Sequence, residues 1–149
     1  MNRSAEASPE AQPPFSDAAK LERGNPRLRD IARPCSGYNP YEVGVGYDVN
    51  GKPQTAITVE TRPYHSQTKK DETWKPDAIG RDLGRYSLKW PEARFVKYGP
   101  WLAAARDRQN FVGPRILVQE ITGGYSRRII AAFSDSELYH SRGHHSDQV

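Results

Sequence analysis

The clearest alternation of apolar and polar positions runs from Phe111 to Phe133 and predicts two strands joined by a tight turn. In the first strand Ile116, Val118 and Glu120 fall on one face, while Leu117, Gln119 and Ile121 fall on the other. That is the period of two expected of a half-buried strand. Pro114 opens this strand, where a missing N–H does least harm. Ile129 to Phe133 is a nearly continuous apolar run and predicts a second strand buried on both faces. Between them Thr122-Gly123-Gly124-Tyr125 offers the positive φ angles of a hairpin turn. Arg127 and Arg128, at the mouth of the second strand, project to opposite faces.

Elsewhere the pattern is more broken. Ala56 to Tyr64 predicts a strand with Ile57 and Val59 on one face. His65 to Lys75 reads as a polar, basic surface loop containing Trp74 near its end. Gly80 and Gly84 interrupt Asp77 to Tyr86, which predicts a tight loop with one helical turn. Ser87–Trp90, Arg94–Tyr98 and Glu137–Ser141 are short strand candidates. Gly99 to Arg106 is the best helix candidate, with proline in the first turn followed by strong helix formers. The fold class expected is α+β: a small, mostly β domain with a central hairpin, one short helix and a disordered N-terminal tail. Residues 1–26, rich in Ala, Ser, Glu and Pro, read as a disordered leader or linker remnant. Residues 27–141 form the expected domain, and 142–149 a polar tail.

Composition sharpens this picture in three ways. Hydrophobic content is 36% and mean hydropathy −0.85, low enough that part of the chain is expected to stay unpacked. The net charge of +4 is uneven: Arg62 to Arg128 carries 14 Lys/Arg against 7 Asp/Glu, whereas the rest of the chain sums to −3. A basic central block points to a polyanionic partner, set against the plainer reading of a solvated surface. The single cysteine, Cys35, excludes an internal disulfide and a cysteine metal cluster, and reads as a buried or bystander thiol, not a nucleophile. No apolar run reaches the ~20 residues of a membrane span and no signal-peptide core is present. The expected location is the cytoplasm.

Candidate catalytic motifs fail on inspection. Asn39-Pro40-Tyr41 resembles the Asn-Pro-Pro-Tyr signature of adenine-N6 methyltransferases but lacks one proline and follows no strand, so it reads as a turn. Gly44-Val45-Gly46 has no βαβ unit around it to bind a dinucleotide or S-adenosylmethionine. No lysine has an acidic residue two positions before it, which excludes the (Asp/Glu)-x-Lys nuclease motif. His140, His144 and His145 have no acidic or cysteine partners at ligand spacing and read as a frayed terminus. What remains is a binding surface. Arg81, Arg85, Tyr86, Lys89 and Trp90 form one cluster; Arg62, Tyr64, Lys69, Lys70 and Trp74 form a second. Arginine grips phosphate or guanine, and Tyr or Trp stacks on a base. The competing reading puts Tyr86 and Trp90 in the core and pairs the arginines with Asp82 and Glu92.

Several of these stretches, taken in order, resemble a known family. They are Ser36-Gly37-Tyr38-Asn39-Pro40-Tyr41-Glu42-Val43-Gly44, then Lys52-Pro53-Gln54-Thr55, then Arg62-Pro63-Tyr64-His65-Ser66. The clearest is Ile79-Gly80-Arg81-Asp82-Leu83-Gly84-Arg85-Tyr86-Ser87-Leu88-Lys89-Trp90, similar to a Gly-x-Asp-Ile-x-Arg-Tyr segment. Phe95 to Gly99, Pro114 to Val118 and Ile129 to Ala132 complete the order. The series resembles the TaqI-like C-terminal specificity domain over about Leu28 to Tyr139. That domain is the target-recognition module of adenine-N6 DNA methyltransferases in type IIG restriction–modification and related phage-defence enzymes.

The resemblance implies a module that holds duplex DNA while a partner methyltransferase, carrying S-adenosylmethionine, flips the target adenine. The module itself would have no cofactor and no catalytic residues. The DNA-binding residues implied are Arg62, Arg81, Arg85, Tyr86, Lys89, Arg127 and Arg128. The family's methyltransferase domain is missing and its specificity domain normally continues further, so a C-terminally truncated domain or a split subunit is expected. Two alternatives stay open: a non-catalytic subunit of a split methyltransferase or endonuclease complex, and a protein-interaction domain using the basic block.

Overall fold

Tyrosine, more than leucine, builds the main core. The computed structural model describes residues 24–120 and 129–142, and the chain divides into two units, Met1–Pro34 and Cys35–Val149. In the second unit Tyr38, Tyr64, Val96, Leu102, Phe111 and Tyr139 are buried together, with Tyr41, Tyr98 and Trp101 packed against them. Phe111 and Tyr139 stack with ring centroids 4.5 Å apart, and Tyr98 meets Tyr139 at 4.4 Å. A phenol can be buried only if its hydroxyl finds a partner, and each one does. Tyr38 donates to Asp77, Tyr64 to the Tyr47 carbonyl, Tyr98 to the Arg106 carbonyl and Tyr139 to Glu137.

The domain is mostly β with short helices, as the sequence predicts. Its main sheet has four strands in the order β1 (His65–Ser66), β5 (Phe95–Lys97), β2 (Trp74–Ala78), β8 (Tyr139–His140). β5 is antiparallel to both neighbours, and β2 runs parallel to β8. β2 contains Pro76, yet the ladder survives. The Asp77 N–H points to β5, bonding the Arg94 carbonyl at 3.0 Å, so the missing N–H of Pro76 faces the other edge, where β8 pairs only from Asp77 onward. β3 (Leu83–Gly84) and β4 (Ser87–Leu88) form a small hairpin; β6 (Arg115–Val118) and β7 (Ala131–Ser134) form a two-stranded sheet. A second core of Ala78, Leu117 and Leu138, with Leu83, Leu88 and Trp90 against it, underlies both. In the first unit the described residues hold one short helix, α1 (Leu28–Ile31), with Ile31 exposed.

Three sequence expectations change. Ala56–Thr61 is a helix, α2, not a strand. Thr55 and Thr58 form a reciprocal capping box at its start, and Arg62 closes it in the left-handed region at φ 47° just before Pro63. Such caps contribute about 1 kcal/mol and outweigh the modest strand preference of Ile57 and Val59. Gly99 to Arg106 is an irregular turn, not a helix. Asn39 and Ala104 exchange both backbone bonds at 2.9 Å, and the Trp101 carbonyl accepts from Tyr47, so these groups pair with another segment instead of along a helix. Helical hydrogen bonding appears instead in short 3-10 turns at Gly80–Asp82 and Arg108–Phe111.

The third change concerns the hairpin strands. β6 and β7 do pair, with Ile116 opposite Phe133 and Leu117 opposite Ala132. Only the Leu117 and Ala132 face is buried, however; Ile116, Val118, Ile129 and Phe133 are 61–77% exposed. The second strand is therefore covered on one face, because a two-stranded sheet reaches the core through one side of its pleat. The predicted turn, Thr122 to Tyr125, lies outside the described residues, as do residues 1–23 of the predicted leader and 143–149 of the tail.

One glycine is fixed by close approach. Gly37 lies against β8, where a Cβ would stand 2.3 Å from the His140 carbonyl oxygen, while the adjacent Tyr38 N–H bonds that same oxygen at 3.1 Å. Gly37→Ala is expected to cost about 1–3 kcal/mol by forcing β8 away from Tyr38. Chemical denaturation of the two proteins would measure this, and equal midpoints would show that the contact yields freely.

Candidate nucleic-acid interface

Four of the predicted DNA-binding residues share one small element. The 3-10 turn Gly80–Asp82 presents Arg81, the two-residue turn between β3 and β4 presents Arg85 and Tyr86, and Lys89 follows β4. All four are exposed. The element is closed on itself, since the Lys89 N–H bonds the Asp82 carbonyl at 2.8 Å. Its carboxylate is committed elsewhere: buried Asp82 accepts the Ile79 N–H at 2.9 Å and forms an ion pair with Arg94. The pairing of the cluster's arginines with Asp82 and Glu92 is thus overturned. Among the described residues Arg81, Arg85 and Lys89 have no ion-pair partner. Tyr86 is 80% exposed and so is not a core residue. Trp90 is partly buried and packs edge-on against Phe95 at 5.6 Å.

The second cluster disperses. Tyr64 and Trp74 are buried, Lys69 pairs with Glu72 at 2.8 Å, and Lys70 covers the Trp74 ring at 4.7 Å. Arg62 is exposed at the end of α2, with its guanidinium 5.8 Å from the Tyr41 ring centroid. No described contact joins Arg62 to the hairpin. Arg127 and Arg128 lie outside the described residues. His140, expected in a frayed terminus, is a partly buried member of β8, whereas His144 and His145 are not described.

The structure also assembles a polar network that the sequence did not reveal. Tyr41 accepts the Tyr64 N–H at 2.8 Å, and its hydroxyl is hydrogen-bonded to His65 Nδ1, 2.9 Å away. The other ring nitrogen, His65 Nε2, faces Asp77 Oδ2 at 3.6 Å. Tyr38 donates to the other Asp77 oxygen at 2.6 Å. Burial pushes the Asp77 carboxyl up to about 7, the Tyr38 bond and the charges of Arg94 and Arg62 only partly opposing it. Burial, with Arg62 nearby, lowers His65 to about 4. Burial raises the Tyr41 phenol far above its ordinary value. The network ties β1, β2 and the 38–41 segment together. Its members are scattered through the sequence at irregular spacing. The one local hint was Asp77 beside apolar Ala78 and Ile79.

Among the described residues no three His, Cys, Asp or Glu side chains stand close enough to hold a metal ion. Glu42 and Val45 bridge across a turn that includes Gly44, and Gly46 lies tight against the Trp101 carbonyl. No described helix is long and apolar enough to cross a membrane. Compared with known proteins, the chain matches no family model, no curated protein and no solved structure. The resemblance to a specificity domain accordingly rests on the sequence motifs themselves.

Proposed function

We propose that this chain is a DNA-binding target-recognition module serving an adenine-specific DNA methyltransferase of a restriction–modification or phage-defence system in the cytoplasm. It has no catalytic residues of its own, and S-adenosylmethionine belongs to the methyltransferase partner. The observation that carries this reading is the Gly80–Lys89 element, where three exposed cations stand together while the nearby carboxylate is bound by Arg94. Unpaired cations on a rigid turn suit phosphate contact, with Arg62 as a separate contact and Arg127 and Arg128 proposed from sequence alone. A second reading, a non-catalytic subunit of a split methyltransferase or endonuclease complex, draws support from the exposed apolar face of Ile116, Val118, Ile129 and Phe133.

The test is fluorescence anisotropy of the chain with a random-sequence duplex across a salt series. Affinity is expected to fall steeply with salt, because each phosphate contact releases a counterion. The triple variant Arg81→Ala, Arg85→Ala, Lys89→Ala should reduce the log–log slope by about 3. Failure of the folded protein to bind at low salt, or an unchanged slope in the triple variant, would refute the interface.

A further inference from the structure

Tyr86 occupies a backbone position that its side chain makes costly. It is the second residue of the two-residue turn closing β3 and β4, and its φ is +63°. Turns of this kind favour glycine or asparagine there, because a Cβ crowds the backbone. Instead the position holds an aromatic ring, 80% exposed. The conformation is pinned from both sides: Gly84 pairs with Ser87 beneath it, and the Tyr86 N–H bonds the Ala131 carbonyl of β7 at 2.8 Å. The side chain gives the fold little in return. Among the described residues no other aromatic ring contacts Tyr86, and its hydroxyl has no hydrogen-bond partner. The Arg85 guanidinium stands 5.3 Å from the ring centroid.

A strained, fixed backbone that presents a ring with one face covered by a guanidinium is shaped for stacking. The open face is apolar and flat, on a backbone already fixed, so contact orders only the two side-chain torsions of a tyrosine. The covering cation both polarises the ring and supplies positive charge beside it. A paired base inside a duplex shows no free π-face at its middle, whereas an unstacked base does. We infer that Tyr86 stacks on a DNA base that has left the helical stack, with Arg85 neutralising an adjoining phosphate. This inference rests on the DNA-binding reading and adds to it the form of DNA that the hairpin tip selects.

The probes are two duplexes of identical sequence, one fully paired and one with a single base placed opposite an abasic site, both binding the full chain. The intact protein should prefer the duplex with the unpaired base by about 10-fold, the size of one base–aromatic stacking contact. Tyr86→Phe should keep the preference, because the ring remains. Tyr86→Asn, whose backbone tolerates the turn, should bring the ratio of the two affinities close to one; Tyr86→Gly repeats the test if the asparagine variant fails to fold. A 2-aminopurine in the unpaired position should be quenched by the intact protein and by Tyr86→Phe only. An intact protein that binds both duplexes equally, with the expected salt slope, overturns the stacking role and leaves the DNA-binding reading standing. So does a Tyr86→Asn protein that retains the preference. Absence of binding to either duplex at low salt overturns both.

Discussion

Replacing Arg94 with methionine is expected to destabilise the protein by about 3–5 kcal/mol, the penalty for leaving a buried carboxylate without its cation. Asp82 is buried, and besides Arg94 its side chain is bonded only by the Ile79 N–H. Methionine keeps most of the aliphatic length of Arg94 while removing its charge, so the loss reports on Asp82 and not on packing. The double variant Arg94→Met, Asp82→Asn should recover much of it, since no charge is then left unpaired. Thermal melting would read the single change as a fall of more than about 10 °C. A double variant as unstable as the single one would mean that Arg94 acts through some contact other than Asp82. The pair matters for the interface as well. It holds the turn that presents Arg81 and leads into the hairpin bearing Arg85 and Tyr86, so DNA affinity should weaken in Arg94→Met although Arg94 itself is half-buried.

A second large effect follows from Asp77 and His65. Unfolded, Asp77 ionises near 3.8 and His65 gains a proton below about 6.5. Folded, the carboxyl titrates at about 7 and the imidazole at about 4. Between pH 4 and 6.5 the unfolded chain therefore carries one proton on His65, and the folded chain carries one on Asp77. Folding moves the proton from one residue to the other without net uptake, so this pair adds no slope to stability in that window. Single substitutions should expose the two halves. In Asp77→Asn only the unfolded state holds the proton, and stability should rise with pH by up to about 1.4 kcal/mol per unit relative to the parent. In His65→Gln only the folded state holds it, and stability should fall with pH by a similar amount. Denaturant titrations at pH 4.5, 5.5 and 6.5 would decide the matter. A parent whose stability rises with pH as steeply as that of Asp77→Asn, beside a flat His65→Gln, would mean that Asp77 is ionised in the folded state.

Where the sequence was informative, the information was local. The alternation in Pro114 to Val118 gave β6 and set Leu117 on the face opposite Ile116 and Val118, and the glycines at 80 and 84 marked a loop with one helical turn. The basic cluster at 81–89 was legible because its members are close in sequence and one short hairpin carries them. Ala56–Thr61 misled because its β-branched residues spoke for a strand, while the deciding signal was the threonine pair at 55 and 58. Gly99 to Arg106 misled for a different reason: local propensity was overruled by bonds to Asn39 and Tyr47, over fifty residues away. The Tyr38–Asp77–His65–Tyr41 network was illegible for the same reason. Its parts meet only after β1, β5 and β2 have been laid side by side.

The tyrosine core also bears on how so slight a framework holds its alignment. Strands of two to five residues offer few ladder bonds, and an aliphatic core would accept a neighbouring offset almost as readily. A phenol is less forgiving, because sliding its strand by one position strands the hydroxyl in apolar surroundings away from its single acceptor. Tyr38 and Tyr64 each recognise one such acceptor on a distant segment, Asp77 at 2.6 Å and the Tyr47 carbonyl at 2.5 Å. Together they act as a pair of keys, each of which fits only when its own segment is seated, and conformers shifted by one residue are rejected twice over.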